Sequence, residues 1–125
     1  MYVVMKKIVL MVVVMVLSTQ VYAQADSQRE LVKKGDVIEA KIFHENGVIS
    51  QEGQYTLDGK LQGTWISYDL NGNKTAVAKY DKGEKVGTWF FYKGDVLKEV
   101  KYTDSKVAQV TTWKEGETQI VSNFE

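Results

Sequence analysis

The chain has 125 residues, with 16 Lys and Arg balancing 16 Asp and Glu, one His, no Pro and no Cys. This length fits one domain and leaves no room for a second sizeable core. The absence of cysteine excludes a disulfide framework, thiolate metal sites and the lipid-bearing cysteine of a bacterial lipoprotein, and the balanced charge gives no net basic field to attract nucleic acid or an anionic membrane.

At the N-terminus Lys6 and Lys7 precede the apolar run Ile8 to Leu17, which is followed by Ser18, Thr19, Gln20, Val21, Tyr22 and Ala23. That order of basic, apolar and polar segments is the plan of a secretory signal peptide. The apolar run of 10 residues is about half what a membrane-spanning helix needs, which favours cleavage over an uncleaved anchor. Val21 and Ala23 place small residues where a signal peptidase reads, so residues 1–23 are predicted to be removed, with the cut between Ala23 and Gln24. The product would be exported to the periplasm, cell envelope or medium. Met5, directly before the lysines, is an alternative start to Met1. Loss of Lys6 and Lys7 leaves 14 basic against 16 acidic residues, a formal charge of −2.

Residues 24–36 read as a polar leader or a weak first strand, since Leu31 and Val32 are the only apolar pair in a charged stretch; a short helix is the alternative. Residues 37–125 form the predicted repeat domain. Val37, Glu39, Lys41 and Phe43 alternate with Ile38, Ala40, Ile42 and His44, a period of two rather than 3.6. Further on, Gly63-Thr64-Trp65-Ile66-Ser67-Tyr68 returns 24 positions later as Gly87-Thr88-Trp89-Phe90-Phe91-Tyr92. Phe43, Asn46, Gly47 and Tyr55 stand 25 positions before Tyr68, Asn71, Gly72 and Tyr80. Glycines recur at Gly35, Gly47, Gly59, Gly72, Gly83, Gly94 and Gly116, and Asp104-Ser105 stands where the missing one would fall. A spacing of roughly 11 to 13 residues is a strand plus a turn, so each repeat is one hairpin.

The turns predict strands near 37–44, 48–56, 61–69, 74–80, 86–92, 96–103, 106–114 and 118–124, an all-β antiparallel meander. Asn46-Gly47 and Asn71-Gly72 suggest two-residue type I′ loops, in which both central residues have positive φ. About Asn71-Gly72, that loop would set Asp69 opposite Lys74, Ile66 opposite Val77, Trp65 opposite Ala78 and Gly63 opposite Tyr80. Beyond Tyr102 the glycine pattern fails, and Thr112-Trp113 is an echo of Thr64-Trp65.

Taken together, Asn46-Gly47, Tyr55, Gly59, Gly63-Thr64-Trp65, Tyr68, Asn71-Gly72, Tyr80, Gly83, Gly87-Thr88-Trp89 and Tyr92 resemble the MORN-repeat (membrane occupation and recognition nexus) variant of small bacterial proteins, the group that includes the YwqK-like antitoxin family. The resemblance covers roughly Ile42 to Tyr102, about half the chain. It implies a ribbon of short β-hairpins that binds a partner, and the antitoxin name would imply neutralising a toxic protein. It carries over no catalytic residue and no cofactor.

No residue pattern names a reaction. His44 sits beside Glu45 at a hairpin tip without the convergent ligands a metal needs, and reads as an exposed turn residue. Paired carboxylates such as Glu115 and Glu117, or Asp81 and Glu84, lie at turns and read as solvated loop charges rather than a general acid and base. The aromatic ladder is the strongest candidate: Trp65, Tyr68, Trp89, Tyr92 and Trp113, with Tyr55, Tyr80 and Tyr102, would either fill the core or dock a protein or sugar. A chain this small needs most of its rings for the fold. Lys79-Tyr80 and Lys101-Tyr102 would suit a phosphate-bearing lipid or glycan, but the net charge below zero favours a solvated strand face. The expectation is an exported, non-catalytic binding or structural module with a protein partner. The alternative is an antitoxin-like inhibitor of one specific protein.

Overall fold

The structure, a computed structural model, describes residues 28–117 and 120–124. The expected signal peptide and its cleavage position lie outside the described residues. Within them the period-two alternation becomes strands: β1 Arg29–Lys34, β2 Val37–Phe43, β3 Ile49–Thr56, β4 Leu61–Tyr68, β5 Lys74–Asp81, β6 Glu84–Lys85, β7 Thr88–Lys93, β8 Val96–Thr103, β9 Lys106–Lys114 and β10 Ile120–Asn123. They form one antiparallel ten-stranded sheet in chain order, with the short β6 pairing only with β5. The eight predicted strands are all present. The stretch read as a leader or weak strand supplies β1, and the strand expected over 86–92 begins only at Thr88 as β7, with the short β6 Glu84–Lys85 ahead of the break at Val86 and Gly87.

The break falls in the second copy of the Gly-Thr-Trp motif; in the first, β4 runs on unbroken, but the same surplus of residues interrupts its pairing with β3. Between the pairs Glu52↔Ile66 and Gln54↔Gln62, β3 contributes Gly53 alone while β4 contributes Gly63, Thr64 and Trp65. Between Val77↔Phe90 and Tyr80↔Lys85, β5 contributes Ala78 and Lys79 while the facing strand contributes Val86, Gly87, Thr88 and Trp89. In each copy the glycine adopts a left-handed φ, +69° at Gly63 and +66° at Gly87, a conformation that a side chain disfavours. This two-residue surplus is a bulge that turns the following tryptophan across the sheet.

The central register of β4 and β5 is as the sequence predicts, with Gly63↔Tyr80, Trp65↔Ala78 and Ile66↔Val77. The loop that sets it is not. Asp69 faces Asn73 rather than Lys74, its N–H donating to the Asn73 carbonyl at 2.8 Å, and of the pair only Gly72 has positive φ. The loop is thus a three-residue type I turn closed by a left-handed glycine. Asp69 Oδ1 selects it by accepting the N–H groups of Asn71 and Asn73, each at 2.9 Å. The extra loop residue is absorbed by a bulge after Ser67, where Tyr68 faces Lys74, so the inner pairs keep their places. Asn46-Gly47 and Asp58-Gly59 close in the same way, Gly47 N–H bonding His44 and Gly59 N–H bonding Thr56. Turns with both central φ positive occur instead at Lys82-Gly83 and at Asp104-Ser105, the second being the place where the glycine pattern lapses.

Alternation about these pairs sorts the side chains onto two faces. The first carries the core: Ala40, Trp65, Ala78, Trp89 and Val100 are buried, with Ile42, Tyr55, Leu61, Tyr80, Tyr102 and Val110 packed against them. Gly53 belongs to this row, since a methyl group there would collide with the Trp65 ring. Small and large residues therefore alternate across the strands, each indole lying over a glycine or alanine of its neighbour.

Candidate functional site

The tryptophan face is built as a scaffold. Trp65 and Trp89 are only 6% and 7% exposed, and each bulge brings the indole N–H onto a carbonyl of the neighbouring strand, Trp65 to Gln54 on β3 at 2.9 Å and Trp89 to Lys79 on β5 at 3.0 Å. Tyr55 meets Trp65 edge to face at 4.9 Å and Tyr80 meets Trp89 at 5.1 Å, a geometry favoured by the ring quadrupoles. The Lys85 ammonium lies 5.2 Å from the centre of the Trp89 ring and 5.7 Å from that of Tyr102, within cation–π range. Burial raises the Tyr80 phenol above its ordinary value of 10.0, and the neighbouring Tyr102 adds to the shift. A shallow concavity of about 290 Å³ remains between Tyr55, Trp65, Tyr80, Trp89 and Phe91.

The opposite face is polar over its N-terminal half and aromatic over its C-terminal half. Glu52 faces Lys41 and Lys41 faces Glu30, so charges alternate across three strands. Tyr68 donates its hydroxyl to Glu52 Oε1 at 2.7 Å, and that bond holds the phenol above its ordinary value of 10.0. A broad groove of about 500 Å³ runs past Glu39, Lys41, Glu52, Gln54 and Thr64. Farther along, Tyr92 faces Leu97 and Leu97 faces Trp113, which sets three large side chains in one row across β7, β8 and β9. Tyr92 is 39% exposed.

The five aromatics singled out in the sequence are therefore not one ladder. Trp65 and Trp89 lie in the core of the first face; Tyr68, Tyr92 and Trp113 lie on the other. Trp113 pairs regularly with Leu97, without the glycine bulge, and its resemblance to Trp65 ends at the dipeptide. Gly47, Gly59, Gly72, Gly83 and Gly94 all occupy turns with positive φ. His44 is half-buried rather than exposed: its Nε2 lies 2.9 Å from the Tyr68 carbonyl oxygen, while Asn46 donates to the Leu70 carbonyl at 2.9 Å. These two bonds tie one hairpin tip to its repeat neighbour. Among the described residues no group of three or more His, Asp or Glu is placed to hold a metal ion.

Among the described residues both sheet edges are unpaired. Every residue of β1 and β10 is exposed, including Leu31, Val32, Ile120 and Val121, and Phe124 beyond β10 is 51% exposed. The Phe124 N–H donates inward to the Ala108 carbonyl at 2.8 Å. By alternation the N–H and C=O of Val121 and Asn123 point outward, away from β9. Val121 lies beside Thr111, which neighbours Trp113 on the aromatic face. Leu97 and Val121 went unremarked in the sequence; the signal for Leu97 was its place opposite Tyr92 across the Lys93-Gly94-Asp95-Val96 turn.

Comparison of the chain with protein-family models, curated proteins and solved structures found no match.

Proposed function

We propose that this protein is an exported, non-catalytic β-repeat module of the MORN-variant type that binds a protein partner at the cell envelope. The observation that carries the binding half is the C-terminal edge, where outward backbone groups of β10 adjoin Val121 and the Tyr92, Leu97 and Trp113 row. An extended segment of a partner can add there as a further strand, its main chain pairing with Val121 and Asn123 and its apolar side chains meeting the row. The export half rests on the basic and apolar order of residues 6–23. The antitoxin-like reading uses the same edge with a toxic protein as the partner.

Photo-crosslinking residues placed singly at Val121, Tyr92 and Ala78, in cells expressing the full-length gene, test both halves. The expected product is an envelope adduct from Val121 and Tyr92 and none from buried Ala78, on a protein whose mass begins at Gln24. Adducts from all three positions, or an intact Met1 or Met5 terminus in a cytoplasmic pool, would contradict the proposal. An adduct with a protein that is toxic when expressed alone would select the antitoxin-like reading.

A further inference from the structure

The outer edge of β1 carries a pattern that fits a second copy of the same strand. All six of its residues are exposed, and Leu31 and Val32 leave 50% and 44% of their surface in solvent. On the polar face the alternating ladder Glu52, Lys41, Glu30 ends at this edge on an acid. Two and four residues further along the same face stand Val32 and Lys34. The Lys34 ammonium lies 3.0 Å from Glu39 and its side chain is 62% exposed, which leaves it free to serve a second carboxylate.

Two identical antiparallel strands related by a two-fold axis through the sheet must bring like faces together, so each register is centred on one residue facing its own copy. Two registers use the apolar pair. Centred on Leu31, the pairing sets Arg29 opposite Lys33 on both sides of the axis, and like charges directly opposite are destabilising. Centred on Val32, it sets Glu30 opposite Lys34 on both sides, with Val32 against Val32 between them and Leu31 against the stem of Lys33. The ladder then continues without interruption, from Glu52 through Lys41 and Glu30 to Lys34 of the second copy.

We propose that β1 pairs with β1 of a second copy in the register centred on Val32, joining two ten-stranded sheets into one. This leaves β10 of each copy uncovered, so the inference does not depend on the partner-binding reading. The charges admit one register and disfavour its neighbour, which makes the edge a specific dimer contact rather than an open aggregation site.

The chain has no cysteine, so single thiols report the register directly. Residues facing each other across an antiparallel pair have Cα atoms about 4.5 to 5.5 Å apart, within disulfide range. In protein purified from the full-length gene, Val32→Cys is expected to form a covalent dimer on mild oxidation and Leu31→Cys, which faces Lys33, to form little. The unaltered protein is expected to scatter light as a dimer. Glu30→Lys and Lys34→Glu should each weaken self-association by roughly tenfold, and mixing the two variants should restore it, because every facing pair then carries opposite charges. A monomeric unaltered protein at roughly 100 µM, equal crosslinking of the two cysteine variants, or failure of the mixed folded variants to associate would overturn the proposal. Where a charge variant does not fold, the cysteine pair decides.

Discussion

Gly53 and Gly87 are both glycine, but for different reasons. Gly87 needs its left-handed φ of +66°, whereas Gly53 has no such φ and is glycine because the Trp65 ring occupies the space of its side chain. Gly53→Ala should therefore lower stability by about 1 to 3 kcal/mol through overpacking, read from denaturant unfolding. Gly94 has open space around it but a φ of +57°, so the same change there should cost about 1 kcal/mol through backbone strain rather than overpacking. At the turn, Asp69 is held below its ordinary value of 3.8, first by the N–H of Asn73 and then by further bonds from Asn73 and Asn71. A depressed folded value means the contribution is present above pH 3.8 and is lost as pH falls through the lower folded value. Asp69→Asn should flatten the acid limb of the melting temperature against pH by lowering its neutral plateau, since the amide cannot supply what the ionised carboxylate contributes there. An unchanged acid limb would show that the turn carboxylate is not coupled to folding.

At the scale of elements, the meander and the inner register were legible because both rest on short-range patterns. Period-two alternation fixes strands, and glycines at regular intervals fix where they turn. What the sequence concealed has a physical cause in each case. The Asn71-Gly72 dipeptide alone favours a type I′ loop, but the Asp69 carboxylate two residues earlier bonds two backbone N–H groups and selects the longer turn. The Gly-Thr-Trp repeat was visible as a repeat and not as a bulge, since the surplus appears only when the facing strand is counted. The division of the aromatics followed from the same gap: parity separates Trp65 from Tyr68, yet spacing along the chain made them look like neighbours. Trp89→Ala, which removes a buried ring and its bond to the Lys79 carbonyl, should cost about 3 to 5 kcal/mol in thermal or denaturant unfolding. Tyr92→Ala on the other face, with its ring 39% exposed, should cost much less and fall instead on partner capture.

At the scale of the whole molecule, the described residues form one sheet with no covering layer among them, which concentrates burial in the middle strands. The buried residues lie on β2, β4, β5, β7, β8 and β9, and none lies on β1 or β10. Hydrogen exchange should accordingly be slowest in β4, β5, β7 and β8 and fastest at β10, with β1 equally fast only under conditions that keep the protein monomeric, as local opening requires least where few contacts are lost. This gradient leaves the edges free to accept strands while the tryptophan face keeps the sheet in shape. The most direct measurement of that division of labour compares thermal unfolding and partner capture for Val121→Pro and Trp89→Ala. Proline at Val121 removes an outward N–H that no strand of the sheet uses, so this variant should melt close to the unaltered protein and lose its partner. Trp89→Ala should lose capture only in proportion to its loss of fold. A Trp89→Ala protein that stays fully folded without binding, or a Val121→Pro protein that captures as before, would contradict the account.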